Sequence, residues 1–248
     1  MLDPLRTAAV DSLRNVVARS KRVSVVAFHS SFVCGINEFD TPPLAHLVQG
    51  GRGGEVRLKL FLCLTLIATR APHSINDPYT PKYWSRLLAL DPVKGPRRVS
   101  VGLKWLNDNN YIRSTPRKGN TPQIQLLDPR TGAPAVRPVR DFVEVPLTLW
   151  SGGWIVDLSA TGLALLLVLL HARGRHRTPR YVTTPAKSRY GLSPDTWTRA
   201  TKELSDNNLL SVGRTPQGGT FDYQRMRNTY QIHDNILNPP PLIIEDVR

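Results

Sequence analysis

The sequence predicts an α+β fold, mainly helical, in which a unit of three helices and a two-stranded hairpin occurs twice behind an N-terminal helix. Three observations carry this prediction. A short pattern recurs 98 residues apart. Helical periodicity precedes each copy of it, and a basic hairpin signature follows each copy.

The repeat is read directly. Residues 104–112 are KWLNDNNYI and residues 202–210 are KELSDNNLL. Lys104 matches Lys202, Leu106 matches Leu204, and Asp108-Asn109-Asn110 matches Asp206-Asn207-Asn208. Upstream, Thr80-Pro81 matches Thr184-Pro185 at a spacing of 104. Further upstream, Pro43, Leu47 and Gly50 match Pro146, Trp150 and Gly153 at a spacing of 103. The matches keep one order, and about six extra residues in the first copy, between Trp84 and Arg98, account for the change in spacing.

Each element has a local reason. An N-terminal helix over Pro4–Arg19 can be capped by Asp3, and Leu5, Ala9, Leu13, Val16 and Val17 form its apolar stripe. That stripe packs on its own domain, with dimerisation as the alternative. An apolar helix follows at Val56–Thr69 in the first copy and Ser159–Ala172 in the second, where Asp157 or Ser159 can cap it. Being apolar nearly all round, it belongs in the core. A short helix then starts at Thr80-Pro81 or Thr184-Pro185, with Pro in its first turn. In the second copy, Ser193-Pro194-Asp195 opens a third helix, and Asn207-Asn208 closes it because Asn tolerates the left-handed conformation. Hairpins follow: Tyr111–Thr115 with Gln123–Leu127 around Lys118-Gly119-Asn120, and Leu209–Arg214 with Asn228–Ile232 around a longer loop. The expected divisions are residues 1–39, a first unit 40–128, a Pro-rich extended linker 129–142, a second unit 143–234 and a tail 235–248.

Three helices and a hairpin wing, with L-x-D-N-N and two apolar residues closing the third helix, resemble the winged helix-turn-helix of the MarR type and of plasmid replication initiators. The resemblance implies that the third helix enters the major groove of DNA and that the wing touches backbone or minor groove. Periodicity places Trp197, Ala200, Thr201 and Leu204 inward in the second copy, and Val99, Gly102, Leu103 and Leu106 inward in the first. The outward faces then carry Arg97, Arg98, Ser100, Val101 and Lys104, and Asp195, Thr198, Arg199, Lys202 and Ser205. Arg199 is the first choice for a guanine contact, because a guanidinium fork matches the guanine edge. Lys187 and Arg189, with Arg173, Arg175, Arg177 and Arg180, extend the basic surface toward phosphates. Arg117 and Lys118 in the first wing, and Arg214, Arg225 and Arg227 in the second, do the same, and Gly218-Gly219 would let the second wing tip approach a backbone.

Composition agrees. Thirty-three Lys plus Arg against 19 Asp plus Glu give a net charge of +14, which favours a polyanionic partner, nucleic acid or an anionic membrane surface. Arg outnumbers Lys, which suits phosphate and guanine. The two cysteines, Cys34 and Cys63, form no metal or redox motif, and Cys63 lies in an apolar run that makes it an inert buried thiol. No secretory leader opens the chain, and its apolar runs are too short to span a bilayer, so the expected place is the cytoplasm, at the nucleoid. Enzymatic signatures are missing. The glycines of Gly50–Gly54 lack the phosphate-loop Lys, and His171 and His176 fit no metal spacing and add to the basic patch instead. Tyr181 and Tyr190 read as structural. The expected protein is no enzyme and needs no cofactor or metal. Its partner is double-stranded DNA, with a homodimer as an added option, no membrane, and no effector legible. A transcriptional regulator leads. A plasmid or mobile-element replication initiator and a structural or partner-docking protein are the alternatives.

Overall fold

The computed structural model describes residues 3–49, 52–76, 78–174, 180–217 and 225–239. Of the residues singled out above, Gly50, Gly51, Arg175, His176, Arg177, Gly218, Gly219 and the tail from Pro240 lie outside these, as do the side chains of Arg180 and Arg225. In chain order the elements are α1 (Pro4–Ser20), β1 (Val25–His29), α2 (Ser30–Val33), α3 (Pro43–Val48), α4 (Arg52–Ile67), β2 (Ser74–Ile75), α5 (Pro81–Leu87), α6 (Gly95–Asp108), β3 (Ile112–Arg117) and β4 (Asn120–Leu126). They continue with β5 (Phe142–Pro146), α7 (Thr148–Ser151), α8 (Trp154–Asp157), α9 (Ala160–Arg173), β6 (Arg180–Tyr181), α10 (Thr184–Ser188), α11 (Pro194–Asp206), β7 (Leu210–Gln217), β8 (Arg225–Ile232) and α12 (Asp234–Leu237). The fold is α+β and mainly helical, with 49% helix and 19% strand.

α1, α5, α9, α10 and α11 begin where a short polar side chain takes up an unpaired amide. The Asp3 carboxylate accepts from Leu5 N at 3.0 Å, Ser159 Oγ from Gly162 N at 3.1 Å, and Ser193 Oγ from Thr196 N at 3.2 Å. Asp157, the alternative cap for α9, is instead paired with Arg6 of α1, at 2.6 and 2.5 Å. Thr80 caps α5, but the cap of α10 is Thr183, one residue before the Thr184 that the repeat suggests. The shift is tolerated because Pro fits anywhere in the first turn, where amides have no intrahelical partner.

The repeated Asp-Asn-Asn makes the same helix end twice. Asn110 and Asn208 adopt left-handed backbone, with φ of 63° and 57°. The next amide then returns to the helix: Tyr111 N donates to Leu106 O, and Leu209 N to Leu204 O, both at 2.9 Å. This closure satisfies the last carbonyls and turns the chain into the following strand.

Each hairpin gains a third strand that periodicity does not reveal. β2 joins the first to give the order β2-β4-β3, and β6 joins the second to give β6-β8-β7. Two residues are too short for a strand signal of their own. The two halves also share a sheet. β1 pairs antiparallel with β5, from Val25 opposite Pro146 to His29 opposite Phe142. The start of the linker is not extended: it turns at Asp128–Gly132, where Gly132 N donates to Asp128 O at 2.8 Å, and folds back so that Ala135 N donates to Leu126 O at 2.9 Å.

One apolar cluster runs through both halves. α4 and α9 pack on each other within it, and α1 lies across α4, α5, α7 and α8. The buried side of α1 is Ala9, Val10, Leu13 and Val16, while Leu5 at the end of its expected stripe is 48% exposed. Among the described residues, no helix is long and apolar enough to cross a membrane. Cys63 is fully buried, and burial pushes its thiol up to about 12, far from a reactive thiolate.

Lys59 is the unusual member of this core. Its ammonium, with the side chain 3% exposed, donates to Glu55 at 2.8 Å and to the carbonyl of Val156 at 3.0 Å. Removing the counter-ion strands a buried charge, whereas replacing the lysine with an apolar chain removes the desolvation problem. Glu55→Ala is therefore expected to lose about 1–3 kcal/mol in denaturant unfolding. Lys59→Met should stay within about 1 kcal/mol of the parent or exceed it. A Lys59→Met protein less stable than Glu55→Ala would contradict this account.

Candidate nucleic-acid interface

The helices α6 and α11 occupy equivalent places in the repeat. Their apolar residues face in: Val99, Gly102 and Leu106 on α6, and Trp197, Ala200 and Leu204 on α11, are buried. Leu103 and Thr201 of the inward sets are half-buried. What remains outward is mostly polar, as 3.6-residue periodicity requires: mostly basic on α6, while on α11 Arg199 and Lys202 stand among the exposed Asp195 and Asp206. Arg97, Ser100 and Lys104 are exposed on α6, with Arg98 half-buried beside them. Val101, 57% exposed, stands among them as an apolar exception. Thr198, Arg199 and Lys202 are exposed on α11.

These cations are held in exposed pairs. Lys104 meets Asp108, Lys202 meets Asp206, and Arg199 meets Asp195, each at 2.6 Å and one helical turn apart. The hydrogen bond from Lys104 holds the Asp108 carboxyl below the usual carboxylate range. Exposed pairs of this kind contribute little, because water screens them. A phosphate or a base edge can therefore replace the carboxylate at little loss. The hydroxyls of Ser100 and Thr198 donate back to Pro96 O at 3.1 Å and Pro194 O at 3.0 Å, which leaves their lone pairs to accept.

Two expected contacts are turned elsewhere. The Lys187 ammonium lies 4.6 Å over the Trp197 ring and donates to the Tyr230 hydroxyl at 3.2 Å. Arg189 donates from Nε to Gly35 O at 3.0 Å, while Gly35 N donates to Arg189 O at 2.7 Å, tying α10 to the loop after α2. Both side chains are engaged in packing α10. His171 belongs to the same cluster: its Nδ1 and the buried Tyr190 hydroxyl share a hydrogen bond at 3.1 Å. Burial, and then the nearby Arg189, lower its pKa, so this half-buried ring favours the neutral form rather than joining the basic patch.

The hairpins present the remaining candidates. Lys118 is exposed beside Gly119, whose φ of 73° makes the tight turn. Arg117 donates to Asn76 O, which links the hairpin to the chain after β2. Arg214 is exposed on β7, in register with Asn228 of β8. Arg225 opens β8, and Arg227 lies 5.7 Å over the ring of Tyr181.

Two basic residues escaped the sequence reading. Arg57 and Lys94 line, with Arg97 and Arg98, a groove of about 470 Å³ between α4 and α6. Arg57 was hidden by the apolar run around it. Its only sequence signal is the preceding Gly53, where a Cβ would sit 2.9 Å from the Arg57 guanidinium. Lys94 stands just ahead of α6, where Asp91 Oδ1 accepts from its backbone amide at 2.7 Å. Comparison with protein families, curated proteins and solved structures finds no match for the chain.

Proposed function

We propose that the protein binds duplex DNA by sequence, as a transcriptional regulator, through two winged helix-turn-helix units. The first unit is α4, β2, α5, α6, β3 and β4, and the second is α9, β6, α10, α11, β7 and β8. The observation that carries this reading is the double occurrence of one element order with one strand order, each time with exposed cationic side chains on the third helix. In this reading α6 and α11 enter major grooves, and the hairpins hold the backbone. Arg199 reads a base, most readily guanine, while Lys118 and Arg214 anchor phosphates.

The test begins with DNA selected from random sequence and titrated by fluorescence anisotropy across a range of salt. With both units engaged, log K against log salt should fall with a slope of around −6 or steeper. Arg199→Ala should lose about 1–3 kcal/mol and relax preference at one base position. Arg214→Ala should weaken all sequences about equally. Absence of duplex binding at low salt would end the reading, and exchanged outcomes for the two variants would assign base readout to the hairpin.

A further inference from the structure

We propose that the cleft roofed by the start of the linker is a binding site for a small uncharged aromatic molecule that carries one hydrogen-bond acceptor. This goes beyond the DNA-binding reading and does not depend on it. The cleft lies between β1, α2, α4, the end of β4 and the chain that follows, and holds about 310 Å³. That is the lower end of the range for small-molecule sites and gives room for one ring system. Its floor is apolar: Phe28, Phe32, Phe61, Leu126 and Leu127 are all buried. The roof, from Pro129 to Pro138, is pinned on both sides. Arg130 donates from Nε to Ser31 O at 3.0 Å and from Nη1 to Asp40 at 2.9 Å, while Ala135 N donates to Leu126 O at 2.9 Å. A ligand entering such a site has little chain left to order.

The floor selects a ring. The centroids of Phe28 and Phe32 are 5.4 Å apart, and those of Phe32 and Phe61 5.3 Å. Another aromatic ring joins such a row favourably, offset or edge to face, at the same kind of spacing. The lining excludes charge. None of the residues that line the cleft is Lys or Arg, and the carboxylate of Asp128 already accepts from the Arg130 amide at 2.9 Å. A charged ligand would shed its water there without a free counter-charge.

The mouth supplies donors. His29 is exposed there, and its Nδ1 accepts from the Ser31 amide at 3.2 Å, so the ring proton stands on Nε2. Thr131 Oγ1 accepts from Ala133 N at 3.3 Å, which leaves its proton to donate. Deeper in, Thr65 gives its hydroxyl proton to Phe61 O at 2.9 Å. A carbonyl on the outer edge of the ring matches this arrangement, with the ring itself on the phenylalanines. The roof belongs to the segment that joins the two halves, so an occupant braces that junction.

The test is titration of the whole chain, without DNA, with 4-fluoroacetophenone followed by fluorine NMR. Binding should saturate with a Kd of about 1 mM or tighter, which suits a molecule of about ten non-hydrogen atoms. The probe should shift the methyl resonances of Leu126 and Leu127 and leave those of Leu165 and Leu167, buried in α9, where they are. 4-Fluoroethylbenzene, which lacks the acceptor, should bind about threefold more weakly or worse, and His29→Ala should narrow that gap. Ala135→Phe and Ala27→Phe grow a ring from the half-buried roof and from β1, and each should weaken binding about tenfold. Absence of saturable binding overturns the proposal, as does binding that leaves the Leu126 and Leu127 methyls unmoved. Equal binding of the two probes overturns the ligand class. Undiminished binding to a filled variant that keeps its circular dichroism overturns the site. Binding that falls as protein concentration rises gives the cleft to a second copy of the chain and overturns the proposal too. The methyl shifts are read on the parent protein, so the test stands even if a filled variant fails to fold.

Discussion

Expressed apart, residues 1–130 and 140–248 should each fail to fold cooperatively, and mixing or co-expressing them should restore the transition. The reason is the seam between the halves. β1 finds its strand partner in β5, so separation leaves a row of amides and carbonyls unpaired on each piece. Val26, Phe28, Val143 and Val145 on these strands are all buried. Re-exposing such side chains costs about 1.5–3 kcal/mol each, roughly 6–12 kcal/mol for the four. A whole domain has only about 5–15 kcal/mol of net stability. The contact of α4 with α9 adds to the loss. Thermal unfolding by near- and far-ultraviolet circular dichroism measures this. A cooperative transition in either isolated half would show that the seam is dispensable to it.

Glu203→Ala is expected to destabilise the protein by about 2–4 kcal/mol, since each hydrogen bond to a charged group is worth about 1.5–3 kcal/mol. Two such bonds to Ser159 disappear at once, and the half-buried amide of Ser159 is left without an acceptor. The Ser159 hydroxyl also loses the partner that orients it to accept from Gly162 N. In a chain of this size, 1 kcal/mol shifts the melting temperature by about 2–4 °C, so the fall should be about 5–15 °C. Ser159→Ala should lose less, and the two substitutions together should lose less than their sum because they share an interaction. Gly162→Ala should act in the same direction, since a Cβ there would lie 2.7 Å from the Glu203 carboxylate. A melting temperature for Glu203→Ala within 1–2 °C of the parent would mean that water replaces the carboxylate without loss.

The third helices were the most legible part of the chain. Their two faces follow from 3.6-residue spacing, and the buried set, from Val99 to Leu106 and from Trp197 to Leu204, matches it closely. Their ends were legible too, because Asn is among the few residues that accept left-handed backbone without strain. The basic residues were harder. Charge says that a side chain prefers water or an anion, but not which neighbour it meets. Lys187 lies over Trp197 and meets Tyr230, 43 residues away. Arg189 meets Gly35, 154 residues away. No local pattern encodes such distances.

The sequence by itself therefore determined the longer local units: the apolar helices, how the third helices end, which of their faces turns inward, and that the set recurs, whereas the short helices α2, α3, α7, α8 and α12 left no signal of their own. The longer units depend on backbone stereochemistry and on the spacing of apolar side chains, both of which act over a few residues. Only the tertiary structure decided the rest. It joined β1 to β5, placed β2 and β6 on the hairpin edges, and buried Lys59 against Glu55 and Val156. It also brought Arg57 beside Lys94, Arg97 and Arg98. Strand partners and ion clusters arise when one shared core brings distant segments together, and the free energy of that core belongs to the whole chain rather than to any stretch of it.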